Sequence, residues 1–418
     1  MYISSMQFLY NSSIVLVGVI LRIIALFNPK IKLFVKGREQ VFSKLEREIS
    51  KTDKVVWVHC ASLGEFEQGR PVIEKLKSDF KKHKVVLTFF SPSGYEVQKN
   101  YDLADVVVYL PLDTKRNAKK FLKVAHPSVA VFVKYEFWPN LLTQLSVHNI
   151  PTLLVSGIFR KEQIFFKNYG SWMRSKLKAF SFFFLQDKSS SDLLTSIGFE
   201  NNLVCGDTRF DRVYDIISRD NKLDYIDEFV NSSPVLVAGS TWQEDEDLLV
   251  DYILNHSKES EKFIIAPHNI KEEGILRLKN SLKDKAVLFS EREGQSLQDF
   301  KVFIIDTIGI LTKIYAVADV AYVGGGYTKS GIHNVLEPAT FGVPVVIGPN
   351  FKKFREAKDL VNLGGVVSTS DQVSVNAILK KFSEEDVFRK ERGEIALNYI
   401  KQSLGASDKI MNYLKTLL

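Results

Sequence analysis

Two successive series of short apolar runs, each alternating with amphipathic stretches, decide what this 418-residue chain can fold into. The first series is Val55–His59, Val85–Phe90, Val106–Leu110, Val129–Val133, Thr152–Val155 and Phe182–Leu185. The second is Val235–Ala238, Phe263–Ala266, Val287–Phe289, Val302–Ile305, Val320–Val323 and Val343–Ile347. Rich in β-branched and aromatic residues and poor in charge, such runs suit strands covered on both faces of a parallel sheet. Between them lie helical patterns such as Pro71–Phe80, where Val72, Ile73, Leu76 and Phe80 share a face. A polar stretch, Ser218 to Ser233, separates the series, although Leu223, Tyr225, Ile226, Phe229 and Val230 suit a helical piece within it. The pattern predicts an α/β protein of two doubly wound domains, 51–217 and 218–418, facing across a cleft. The length agrees, at about 150 residues per domain plus an amino-terminal segment.

That segment, 1–50, reads as a membrane anchor with a basic tail. From Met1 to Asn28 the only charged side chain is Arg22, and Lys30, Lys32, Lys36 and Arg38 follow at once. The apolar run approaches the roughly 20 residues a membrane span requires. Basic residues after it place the body on the cytoplasmic side. An interfacial helix and a buried helix of the body are the alternatives. A secretory signal would carry its charge first and end in a small-residue cleavage site.

Composition narrows the partners. With 45% apolar and 25% charged residues the chain is an ordinary globular protein. Cys60 and Cys205 cannot form a disulfide framework, and they suit a reducing compartment. The 56 basic against 49 acidic residues leave +7, which suits anionic membranes or anionic substrates. No recognisable nucleic-acid module is present, so no nucleic-acid partner is expected.

Ligands of open parallel sheets sit at the carboxyl ends of the strands, so the residues there carry the chemistry. Glu65 follows the first strand at a strand-to-helix turn, as a helix-start charge or a general base. Glu136 follows another strand, among aromatics and before Pro139, either anchoring the turn or held at a raised pKa. Arg209, near the domain boundary, could neutralise a leaving phosphate or pair with Asp207 or Asp211. In the second series, Gly239-Ser240-Thr241 opens a helix as an anion site or an ordinary N-cap. The acids Glu244 to Asp247 read as first-turn charges rather than metal ligands, so no metal site is expected. Pro267-His268 follows a strand, and the histidine can donate to a phosphate or simply fill the loop. Gly324-Gly325-Gly326 permits close approach to a ligand, and Glu337 could accept both hydroxyls of a ribose. G-x-G-x-x-G is absent, so a dinucleotide cofactor is not favoured.

Taken in order, several segments resemble the 3-deoxy-D-manno-octulosonic acid (Kdo) transferase family of lipopolysaccharide assembly. They are His59-Cys60-Ala61-Ser62-Leu63-Gly64-Glu65, Lys134-Tyr135-Glu136-Phe137-Trp138-Pro139, Gly206-Asp207-Thr208-Arg209-Phe210-Asp211, Pro267-His268 and Gly331-Ile332-His333-Asn334-Val335-Leu336-Glu337-Pro338. The Ser-x-Gly-Glu and Glu-Phe-Trp-Pro pair is the most specific part. The resemblance implies a GT-B fold of two Rossmann-like domains and an inverting transfer of Kdo from the donor CMP-Kdo to a lipid A precursor, without cofactor. It implies Glu65 as base, with Glu136 and Arg209 as transition-state stabilisers. It implies CMP contacts at Pro267, His268, Ile308, Gly309, Ile310, Asn334, Val335, Leu336 and Glu337, and an inner-membrane location beside anionic lipids. Two positions depart from the family pattern, Arg209 for a common Lys and Ile310 for a common Glu. The rivals are a membrane-associated GT-B transferase using a UDP-sugar and a non-catalytic nucleotide- or lipid-binding scaffold.

Overall fold

The computed structural model describes residues 2–418, with side chains from Ser5 onward. It divides into two compact units, the first ending at Arg212 but also containing Leu404–Leu418, the second running from Val213 to Ser403.

Unit 1 is built on seven parallel strands, β1 (Lys54–Cys60), β2 (His83–Phe89), β3 (Val106–Tyr109), β4 (Val129–Val133), β5 (Thr152–Gly157), β6 (Phe182–Leu185) and β7 (Asn202–Val204). Their order is β3-β2-β1-β4-β5-β6-β7, so the winding reverses between β1 and β4. Strands β1 and β4 are buried almost throughout, as their uninterrupted apolar runs require. Helices cover both faces. On one, Trp57, Phe121 and Phe132 pack together; on the other, Phe66, Val72 and Leu76 of the helix Leu63–Asp79 cover Val56 and Val58.

Unit 2 repeats the plan with β8 (Val235–Thr241), β9 (Lys262–Pro267), β10 (Ala286–Leu288), β11 (Val302–Ile304), β12 (Val320–Val323), β13 (Val345–Ile347) and β14 (Val366–Ser368). The order β10-β11-β9-β8-β12-β13-β14 reverses between β8 and β12, and every pairing is parallel.

Both units are therefore doubly wound, as the two series foretell. Three boundaries differ from expectation. The division expected at 217/218 lies at Arg212/Val213, and the first 50 residues belong to the compact body of unit 1. Residues 404–418, expected in the second domain, return to unit 1. Ala406, Ile410, Met411 and Leu414 of the helix Ala406–Leu414 are buried in the same cluster as Phe66 and Phe184. Asp211 fixes that return by accepting the N–H groups of Gly405 and Ser407 at 2.7 and 2.6 Å. Strands β7 and β14 close one edge of each sheet and have no counterpart in the apolar series.

Candidate functional site

The reversal point of unit 1 brings together the ends of β1 and β4, which carry Glu65 and Glu136. After β1, Ser62 starts the helix Leu63–Asp79 and Glu65 stands on its first turn, where Glu65 Oε2 accepts the Ser62 N–H at 3.1 Å. The helix-start reading of Glu65 is thus met. Burial first, then the neighbouring charge of Glu136, pushes its carboxyl above the usual range, with His59 opposing. A glutamate held this way keeps its proton to higher pH and is a stronger base once it has lost it.

After β4 the chain turns through Lys134 at a left-handed φ of 69°. A non-glycine residue there costs about 1–2 kcal/mol. The turn leads to Glu136, which is 9% exposed. Trp138 Nε1 donates to Glu136 Oε2 at 2.7 Å, and His59 Nε2 lies 3.1 Å from the same oxygen. His59 is fully buried on β1. Its other nitrogen, Nδ1, is 2.8 Å from Thr88 Oγ1, which in turn accepts Trp57 Nε1–H at 2.8 Å. An indole N–H can only donate, so Thr88 Oγ1 accepts from Trp57 and its own proton is available to His59 Nδ1. With the hydroxyl turned that way, His59 carries its proton on Nε2 and donates it to Glu136 Oε2. A buried relay of Trp57, Thr88, His59 and Glu136 results, and His59 is the residue sequence reasoning missed. A histidine inside the run Val55–Cys60, which both sheet faces cover, needs buried partners, and that was the available signal.

Arg209 lies in unit 1 but is committed. Its Nε and Nη2 reach Asp207 Oδ2 at 2.9 and 2.8 Å, and Asp207 also accepts Gln68 Nε2 at 3.1 Å. The pairing of Arg209 with Asp207 is formed.

In unit 2 the reversal point joins the ends of β8 and β12. Here too a non-glycine turns left-handed, Ser240 at φ 55°. Trp242 follows, stacked on His268 with ring centres 4.8 Å apart and planes 19° apart. His333 lies 4.4 Å from the His268 ring, and Trp242 Nε1 donates to His333 Nε2 at 3.2 Å. Burial and His268 push His333 down to about 4, so it stays a neutral acceptor near neutral pH. His268 itself is exposed at the end of Pro267.

The glycine triplet packs against protein rather than standing open to a ligand. A Cβ on Gly324 would meet Ser240 O at 2.4 Å, and one on Gly326 would meet Gly348 N at 2.5 Å. Asp245 Oδ2 accepts the N–H groups of Gly325 and Trp242 at 2.8 and 2.9 Å while Oδ1 accepts Tyr322 Oη–H at 2.9 Å. Glu246 pairs with Arg277 and Thr241, and Asp247 also pairs with Arg277. The acidic run therefore tethers the loops at the sheet's ligand end. Among the described residues no group of three or more His, Cys, Asp or Glu side chains is placed to hold a metal.

The remaining nucleotide candidates cluster partly. Asn334 Nδ2 donates to Glu337 Oε1 at 3.0 Å and Thr312 Oγ1 donates to Oε2 at 3.1 Å. Thr312 belongs to the short helix that Ile310 opens, so the turn Ile308-Gly309-Ile310 and Glu337 are held together. Ile308 is 80% exposed and Gly309 has φ 92°. Val335 and Leu336 are buried, which leaves only their backbone for a ligand.

With the geometry in place, similarity to known proteins becomes informative. Residues 36–212 match the family model described as 3-deoxy-D-manno-octulosonic-acid transferase (kdotransferase). That match takes in β1, β4, Glu65, Glu136 and Arg209. A 3-deoxy-D-manno-octulosonic acid transferase of Aquifex aeolicus is 29% identical over 74% of this chain and 80% of its own length. One from Haemophilus influenzae is 26% identical over 87% of each chain. The chain is thus similar to Kdo transferases, over 36–212 by the family model and over 74–87% of its length by these two relatives. A bifunctional glycosyltransferase/methyltransferase of Fusobacterium nucleatum is also similar, at 28% over 94% of this chain, which spans only 63% of that relative. The fold is shared with UDP-GlcNAc 2-epimerase from Neisseria meningitidis, at a TM-score of 0.57 and 14% identity over 87% of this chain and all of that one. The two parallel-sheet units of this chain thus have the GT-B type of fold.

Proposed function

We propose that the chain is an inverting Kdo transferase that moves Kdo from CMP-Kdo to a lipid A precursor at the cytoplasmic face of the inner membrane. One observation carries the reading: the two carboxylates of the family's most specific motifs, Glu65 and Glu136, meet at the reversal point of unit 1, and Glu136 raises the basicity of Glu65. Similarity to Kdo transferases supports Kdo as the sugar.

In this reading Glu65 takes the proton of the acceptor hydroxyl as its oxygen bonds to the anomeric carbon. The bond from that carbon to the phosphate oxygen breaks, and CMP leaves with the electron pair. Glu136, anchored by His59 and Trp138, lies beside the base. Unit 2 supplies His268, stacked on Trp242, as a donor to the phosphate, and the Asn334–Glu337 turn for the ribose. Arg209 acts through Asp207 as a held charge rather than a free one. The anionic donor and acceptor suit a chain of net charge +7.

The test is direct. Incubating the protein with CMP-Kdo and a lipid A precursor should give a lipid heavier by whole Kdo residues in the mass spectrum, together with free CMP. CMP release without a heavier lipid, or turnover with a UDP-sugar alone, would refute the assignment.

A further inference from the structure

The helix Tyr2–Ile24 has two different sides. Gln7, Asn11, Ile14, Gly18, Leu21 and Ala25 recur every three or four residues and are half-buried or buried against the body of unit 1. Leu9, Leu16 and Ile23 run down the opposite side at seven-residue spacing and are 54, 60 and 56% exposed. The inner side is zipped to the body. Gln7 Nε2 donates to Asn140 Oδ1 at 3.1 Å, and Asn140 Nδ2 to Asn11 Oδ1 at 2.9 Å. Between them Tyr10 Oη donates to Asp113 Oδ2 at 2.8 Å, and Lys176 Nζ to Gln7 Oε1 at 3.0 Å. Further along, Gly18 packs on Leu112, where a Cβ would lie 3.1 Å from its Cδ1.

From Gln7 to Ala25 the docked stripe runs 19 residues, about 27 Å at 1.5 Å per step, nearly the roughly 30 Å of a hydrocarbon core. A helix crossing the bilayer would carry its partners with it, placing Asp113, Asn140 and Lys176 at hydrocarbon depth. A charged group there costs roughly 2.5–3.5 kcal/mol even on the mildest scale. We propose that this helix lies in the membrane plane, its Leu9-Leu16-Ile23 side sunk into one leaflet of anionic phospholipid and its Gln7–Ala25 side bearing the body. The inference rests on the membrane reading above and settles how the helix is placed.

Charge supports the choice of lipid. Lys30, Lys32 and Lys36 are exposed directly after the helix. The helix Lys115–Ala125, whose Asn117 lines one cavity with Gly18 and Arg22, exposes Lys115, Arg116, Lys119, Lys120 and Lys123. Each basic residue near an anionic surface adds about 1 kcal/mol of attraction.

The test uses the full chain with Leu9→Cys, Leu16→Cys or Ile23→Cys, each carrying an environment-sensitive fluorophore. The native Cys60 and Cys205 are buried and do not compete for label in the folded protein. The labelled proteins are bound to phosphatidylethanolamine–phosphatidylglycerol vesicles with acyl chains brominated at graded depths. We expect all three positions to be quenched alike, most strongly by the shallow bromines. Deep quenching at Leu16 with shallow quenching at Leu9 and Ile23 would mean a spanning helix, and would overturn the in-plane placement while leaving the membrane reading intact. Absence of quenching at all three would overturn both. Binding to neutral phosphatidylcholine vesicles should be at least tenfold weaker, and equal binding would overturn the choice of anionic lipid.

Discussion

The hydroxyl of Thr88 meets His59 Nδ1 at 2.8 Å while His59 Nε2 faces Glu136 Oε2 at 3.1 Å. Trp57 Nε1–H donates to the same hydroxyl, and a Thr88 proton turned to Nδ1 leaves the His59 proton on Nε2. Without Thr88 Oγ1, the ring can place its proton on Nδ1 toward the Thr88 carbonyl at 3.1 Å, turning a bare Nε2 lone pair on the carboxylate. Thr88→Val should therefore move the His59 ring ¹⁵N resonances from the Nε2–H to the Nδ1–H pattern. It should also cost about 1–3 kcal/mol of stability by stranding Trp57 Nε1. Unchanged ring resonances would show that Thr88 does not set the tautomer.

Glu65→Gln separates the two roles that coincide on that residue. Glutamine keeps an oxygen for the Ser62 N–H, so the helix start survives and stability should change by less than about 1 kcal/mol. It cannot accept the acceptor's proton, so transfer should fall by about 10²–10⁴-fold. CMP affinity should be unaltered. Near-normal single-turnover transfer would leave Glu65 a capping residue and shift the base role to Glu136.

Glu136→Gln should move the acid limb of the pH–rate profile to lower pH. The negative charge of Glu136 favours the protonated form of Glu65. Removing it lowers the Glu65 pKa, so the base form persists further into acid. The amide oxygen can still serve Trp138 and His59, so the fold should hold. An acid limb that stays in place would mean that Glu136 does not tune the base.

His333 gives unit 2 a sensitivity of its own to acid. Folded, it sits near about 4 because of burial and His268, against an ordinary value near 6.5. The unfolded chain binds a proton first as the pH falls. Stability from this residue is complete above about 6.5 and is lost as the pH drops toward 4. Denaturant unfolding at pH 7.5 and 5 should show the loss, and His333→Gln should flatten it. An equal slope in the variant would place the acid sensitivity elsewhere.

Much of this fold is written in residue pattern. Strands such as Val129–Val133 announce themselves because both sheet faces are covered and every position is apolar. Asn202–Val204 escapes because it is a three-residue edge strand with Leu203 and Val204 exposed. Glu65 and Glu136 were legible because they directly follow strands, and strand ends are where parallel sheets gather chemistry. His59 was quoted only as part of a motif, since a residue within a strand looks like packing until its partners are known. The glycine triplet misled for a related reason. Glycine marks close approach without saying what approaches, and here it is the backbone at Ser240 and Gly348. The stripe Gln7, Asn11, Gly18 was present in the apolar segment, but its meaning depends on Asn140 and Leu112, more than a hundred and about ninety residues away.

The return of residues 404–418 to unit 1 also bears on how the protein is made. A ribosome delivers β1 to β7 first, yet Phe182 and Phe184 receive their Tyr413 neighbour only when residues 404–418 emerge. Unit 1, with its lipid-facing helix, must wait with an unsealed apolar face through the whole synthesis of unit 2. Closure of that face is thereby tied to synthesis of residues 404–418, and a chain ended before them leaves it open.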